Sequence, residues 1–121
     1  MTAPKRIQRR RTRGWTTPVD EQGRKPVYVG RGSRWGNPWA VVQVLGGWGL
    51  AYENNFRIGI YATREEAVTA AVEAYTEYAR DRLGEIQAEL AGRDLMCWCP
   101  LDAECHADVL LALAAGGEDR A

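Results

Sequence analysis

The sequence predicts an α/β fold: one small domain with a short mixed sheet, helices packed on it, and a Rossmann-like strand–loop–helix at its C-terminal end. Three observations point there. A chain of 121 residues can bury one core but not two of ordinary size. Short β-prone runs give way to stretches of 3.6-residue periodicity. The last strand-like run ends at Cys99, and a short loop leads from it to a helical pattern that begins near Cys105.

The first 14 positions read as a basic flexible arm. They hold Lys5, Arg6, Arg9, Arg10, Arg11 and Arg13, six of the 16 basic residues, and no Asp or Glu, so the remainder carries ten basic against 16 acidic side chains. Clustered arginines gain free energy by releasing counterions from a polyphosphate, which makes Arg9, Arg10, Arg11 and Arg13 candidates for nucleic-acid contact. A solvated terminus that only aids solubility is the competing reading. No apolar stretch follows the basic residues and none approaches the length of a spanning helix, so neither secretion nor membrane insertion is expected. With 45% hydrophobic and 26% charged residues, the composition is that of a soluble globular protein.

Residues 15–116 form the predicted domain. Trp15 to Pro26 is an extended approach rich in Pro and polar residues, and Val27-Tyr28-Val29 is a first strand ended by Gly30 and Gly32. The segment from Gly30 to Trp39 contains three glycines and an Asn-Pro step, hence a loop of tight turns. Val41 to Leu45 is a second short strand, and Leu50–Tyr52 pairs with Phe56–Ile60 across Asn54 and Asn55. Thr63 with Glu66 makes a capping box, and Val68, Val72, Tyr75 and Ala79 recur at helical spacing, predicting a helix from about Arg64 to Arg80. Leu83, Ile86 and Leu90 continue the helical period to Gly92. Asp94 to Cys99 reads as a strand stopped by Pro100, and Val109, Leu110 and Leu113 mark a final helix before a polar tail at 117–121.

All three cysteines and the only histidine fall within ten positions: Cys97, Cys99, Cys105 and His106. An odd number of clustered cysteines makes a poor disulfide framework and a plausible thiolate site in a reducing, cytoplasmic setting. Alternation along a strand would turn Cys97 and Cys99 to one face, while Cys105 and His106 would occupy the first turn of the next helix, where free amides and the helix dipole favour negative charge. Three readings compete. Cys97, Cys99, Cys105 and His106 supply the donor set of a structural zinc site, although their spacing departs from the usual one. A reactive centre would instead use Cys97 or Cys105 as nucleophile, with His106 as acid or base. The bland alternative is thiols packed as small hydrophobes.

The segments Val-Tyr-Val-Gly-Arg-Gly-Ser-Arg-Trp-Gly-Asn-Pro-Trp at 27–39 and Gly-Arg-Asp-Leu-Met-Cys-Trp-Cys-Pro, continuing to Cys-His-Ala-Asp-Val-Leu-Leu at 105–111, closely resemble the two signature segments of domain-of-unknown-function family 4326, found in bacteria and phages. The resemblance spans roughly Val27 to Ala114, and no settled activity comes with it. It implies functional roles for Arg31, Ser33, Trp35, Gly36, Asn37 and Pro38, and for Cys97, Cys99, Cys105, His106 and Asp108. The linker Leu101–Glu104 is acidic and slightly long for the family, and the arm before Trp15 lies outside the match.

The expected function is therefore a domain that binds a phosphate-bearing ligand, a nucleotide or a nucleic-acid end. The ligand would sit between the loop, with Arg31, Ser33, Trp35 and Asn37, and the segment carrying Cys97, Cys99, Cys105, His106 and Asp108. Catalysis by Cys97, Cys105 and His106 is left open. The alternatives are a non-enzymatic zinc-stabilised nucleic-acid accessory module and a phage-type factor that acts by binding a host protein.

Overall fold

The structure is a computed structural model that describes residues 3–52 and 56–116. Nine elements follow one another along the chain: β1 (Arg6–Gln8), β2 (Val27–Tyr28), β3 (Trp39–Val44), β4 (Gly47–Tyr52), β5 (Phe56–Tyr61), α1 (Arg64–Arg80), α2 (Leu83–Leu90), β6 (Leu95–Cys97) and α3 (His106–Ala114). The parallel and antiparallel pairings expected of one mixed sheet are divided between two three-stranded sheets, with orders β1-β6-β2 and β3-β4-β5.

In the first sheet β6 lies in the middle and both neighbours run parallel to it, Ile7 and Tyr28 flanking Met96. Leu95, Met96 and Cys97 are all buried, as a short apolar run must be when a parallel sheet is covered on both faces. The second sheet is a meander in which β4 pairs antiparallel with β3 and β5. Its hairpin pairing of Tyr52 with Phe56 follows the sequence expectation, while Asn54 and Asn55 lie outside the described residues, as do residues 117–121.

Helix α1 joins the two sheets. The capping box forms as the sequence predicts, with Thr63 and Glu66 each satisfying the other's backbone amide. The buried stripe is Ala67, Ala71, Tyr75 and Ala79, so Val68 and Val72 lie to one side of it, half-buried. Ala67 and Ala71 pack with Leu50 of the meander, whereas Tyr75 and Ala79 enter the main core with Val29, Ile86, Leu90, Leu95 and Leu110. Small side chains at the meander end let helix and sheet approach closely, and the large Tyr75 fills the wider space beside the parallel sheet.

Two expectations need correction. The segment read as a flexible arm contains β1, because Ile7, only 8% exposed, covers the core while the backbone fills an otherwise open edge of β6. The last strand ends at Cys97, so strand alternation does not place Cys99; a bend at Trp98 and Cys99 does.

Candidate functional site

The loop between β2 and β3 is held by its own polar groups. Gly32 has φ +91°, and a Cβ on Gly36 would lie 2.8 Å from the Gly30 carbonyl oxygen, so both positions call for glycine. Ser33 Oγ donates to the Gly30 carbonyl at 2.7 Å. Arg31 folds back, Nη1 donating to the Asn37 carbonyl at 2.7 Å and Nη2 to the Trp39 carbonyl at 3.1 Å. Asn37 is buried, its Nδ2 donating to the Ala71 carbonyl on α1 at 3.2 Å and its Oδ1 accepting from the Trp39 amide at 2.9 Å. Tyr75 Oη donates to the Trp35 carbonyl at 2.6 Å, and burial pushes that phenol above its ordinary range. The loop is thereby fastened to α1 at two places.

The three sulfurs converge. Cys97 ends β6, Cys105 caps α3 with an extended backbone, and the bend between them returns Cys99, so that the three Sγ atoms lie within 4.8 Å of one another. Cys97 Sγ and Cys105 Sγ are 3.1 Å apart. Cys97 and Cys105 are fully buried and Cys99 is half-buried. The set of three could hold a metal ion. His106 stands beside this cluster rather than in it: its Nε2 is 2.6 Å from the Val29 carbonyl oxygen, and its Nδ1 is 3.7 Å from Cys105 Sγ.

Electrostatics favour the thiolate of Cys105 over those of its two neighbours. Its thiol is drawn well below the ordinary value because Cys97 and Cys99 donate to it, with smaller help from His106 and the Ala107 amide, against the opposing effect of burial. Cys97 is pushed up by that same bond to Cys105 and by burial, and Cys99 is likewise raised chiefly by its bond to Cys105. Arg6 faces the cluster from β1 with its side chain 7% exposed. Burial works against its charge, but the Cys105 sulfur and Asp108 hold it protonated, and its pKa is raised. Arg6 Nη2 also donates to the carbonyls of Pro100, Leu101 and Ala103, which sets the course of the linker between the thiols. Asp108 lies 3.5 Å from Arg6 Nη1; burial raises its pKa despite that cation.

Loop and sulfurs line a common cleft of about 420 Å³. Arg31, Asn37, Cys97, Cys99, Cys105 and His106 line it together, and Trp39, Val72 and Trp98 add apolar wall. Arg64 and Glu104 are further charges on its lining; Glu104 accepts from Thr69 Oγ1. A more open cleft of about 590 Å³ lies on the far side of the loop. There Arg34 is paired with Glu85 and Glu89 and Arg82 stacks on Tyr78 and donates to the Arg34 carbonyl, leaving those cations committed within the fold.

The structure thus brings Arg31, Asn37, Cys97, Cys99, Cys105 and His106 to one cleft, and leaves Ser33, Trp35 and Asp108 outside its lining. Trp35 is 4% exposed in the core, Ser33 braces the loop, and Asp108 pairs with Arg6. Of the arm residues, Arg9 and Arg11 stack on Trp98, and Arg10 donates to Gln8 Oε1 at 3.3 Å. Sequence reasoning missed Arg6, Trp39, Trp98 and Arg64 as site residues. For Arg6 one signal existed, Ile7 as the lone apolar side chain between Lys5 and Arg13.

No helix among the described residues is long and apolar enough to cross a membrane. Among known proteins, a family model described as a domain of unknown function (DUF4326) matches residues 7–116, and the match therefore begins inside β1 rather than at Val27. No curated protein and no solved structure matches.

Proposed function

The chain belongs to the DUF4326 family of domains of unknown function, and from that premise we propose that its cleft binds a phosphate-bearing ligand of the nucleotide class, with the three cysteines facing the bound molecule. The observation that carries this reading is that Arg31, Asn37 and the three cysteines line one and the same cleft. Its size is that of small-molecule sites, and its composition suits a nucleotide. Trp39, Trp98, Val41, Val68 and Val72 offer an apolar slot for a planar base, and Arg31 and Arg64 are cations for its phosphate. Arg31 keeps donors to spare after its two bonds to backbone carbonyls.

The test is quenching of tryptophan fluorescence by nucleoside mono-, di- and triphosphates, beside a Val72→Phe variant that fills the slot. Saturable quenching that this variant abolishes is the expected result. No quenching by any nucleotide, or quenching that survives in the variant, overturns the reading.

The convergence of three sulfurs favours a second reading that is compatible with the first: Cys97, Cys99 and Cys105 hold zinc. Thiolates suit that ion, and with only three protein donors it would keep room for water or ligand and could act as a Lewis acid. A cytoplasmic location fits either reading, since unpaired thiols persist in a reducing compartment.

A further inference from the structure

The arginines after β1 are seated beside the cleft. The Arg9 amide donates to the Cys97 carbonyl at 2.7 Å, so the parallel ladder carries the chain past the sulfur cluster. The Arg9 guanidinium lies 5.3 Å from the centre of the Tyr28 ring and 5.1 Å from that of Trp98, and the Arg11 guanidinium lies 4.8 Å from the Trp98 ring. Trp98 is 37% exposed and at the same time lines the cleft. Among the described residues, no acidic side chain forms an ion pair with Arg9, Arg10 or Arg11.

A guanidinium stacked on an indole face loses side-chain freedom, yet its N–H edges stay in the plane and point outward. Those edges match phosphate oxygens two at a time. Arg9 and Arg11 are therefore pre-set forks on an aromatic platform, immediately outside a cleft whose own cations are Arg31 and Arg64. A single nucleotide in the cleft would leave these forks unused. A strand that continues beyond it would lay its next phosphates across them.

We propose that the Arg9, Arg11 and Trp98 surface carries the backbone of a single-stranded nucleic acid whose terminal nucleotide enters the cleft. This rests on the nucleotide reading of the cleft and adds the substrate class. A paired base is held in its stack and cannot enter an aromatic-walled slot without being extruded, so a single strand is favoured over a duplex.

The experiment compares a fluorescently labelled ten-nucleotide single strand, as DNA and as RNA, with the blunt duplex and with AMP as the mononucleotide probe. Anisotropy is read at several salt concentrations for the full chain and its folded Arg9→Gln/Arg11→Gln variant. Neither residue lines the cleft. Expected for the full chain is binding of the single strand at least about tenfold tighter than AMP, and tighter than the duplex. The variant should lose that advantage, with the salt slope shallower by about 1.4, since each phosphate contact on a single strand contributes about 0.7. AMP binding should be unchanged. An Arg9→Lys/Arg11→Lys variant should keep most of the slope while binding more weakly, because lysine neither forks nor stacks as arginine does. If AMP binds but the single strand binds no tighter, or if the Gln variant keeps both affinity and slope, this proposal fails and the cleft reading stands. If neither AMP nor the single strand binds, both fail. Tighter binding of the duplex overturns the single-strand assignment alone.

Discussion

His106 Nε2 lies 2.6 Å from the carbonyl oxygen of Val29, and this one contact assigns the two faces of the ring. A carbonyl only accepts, so Nε2 carries a proton and Nδ1 is the atom turned to Cys105. Replacement by glutamine keeps an N–H for Val29 and removes the nitrogen beside the sulfur. His106→Gln is expected to fold normally while Cys105 alkylates several-fold more slowly, followed by mass spectrometry. His106→Leu leaves the buried Val29 carbonyl without its donor and should cost about 1–3 kcal/mol in urea denaturation. Equal behaviour of the two variants would mean that the ring acts only by filling space.

The three sulfurs make a prediction that needs no ligand. Protein purified without chelator should carry about one zinc per chain, and cobalt substitution should give a thiolate charge-transfer absorption. Cys99 is the half-buried member, so Cys99→Ser should lose the absorption and keep the fold, whereas Cys97→Ser and Cys105→Ser should also lower stability. Metal-free protein with no cobalt absorption would leave a hydrogen-bonded thiol cluster in place of a metal site.

In metal-free protein above about pH 7, where carboxylates are ionised in both states, stability should pass through a maximum. Cys105 is depressed in the folded state, so up to the ordinary cysteine value near pH 8.5 the unfolded chain binds the extra proton and stability rises with pH. Cys97 and Cys99 are raised, so above that value the unfolded chain loses protons that the folded one keeps, and stability falls. Thermal melts from about pH 7 to 10 in the presence of a reductant would check this. A monotonic curve would contradict the assignment of the charge to Cys105.

The N-terminal strand supplies the fourth prediction. Deleting residues 1–8 removes the β1 ladder, buried Ile7 and the Arg6 bonds to the linker, and is expected to cost about 3 kcal/mol or more. Deleting residues 1–4 spares Lys5, whose amide donates to Asp94 Oδ1 at 3.0 Å, and should change stability by no more than about 0.5 kcal/mol. A tolerated long deletion would return β1 to the status of a loose arm.

Local signals were readable where they were repeated. Helix α1 announced itself through a capping box and several turns of periodicity, and the gathering of Cys97, Cys99 and Cys105 followed from their spacing on either side of a short loop. What escaped depends on partners far away in the chain. Strand β1 offers one apolar side chain in three residues, and its reason to exist is Leu95 to Cys97, some 89 positions later. The exclusion of His106 from the sulfur cluster is decided by a carbonyl 77 positions earlier. The loop residues were recognisable as a group, but whether Ser33 and Trp35 face a ligand or brace the loop depends on Tyr75 and α1, which no local pattern encodes.

The central place of β6 between β1 and β2 governs the order in which the molecule can assemble. Both outer strands leave the ribosome early, yet neither can pair until residues 95–97 follow, whereas every strand partner of the meander already precedes α1. Such distant pairing is slow, because a long loop has to close before any bond rewards it. The newborn chain therefore carries its thiols unguarded at first. Closure of the parallel sheet and completion of the sulfur cluster are one late event, so ions or oxidants that reach the cysteines first compete with folding itself.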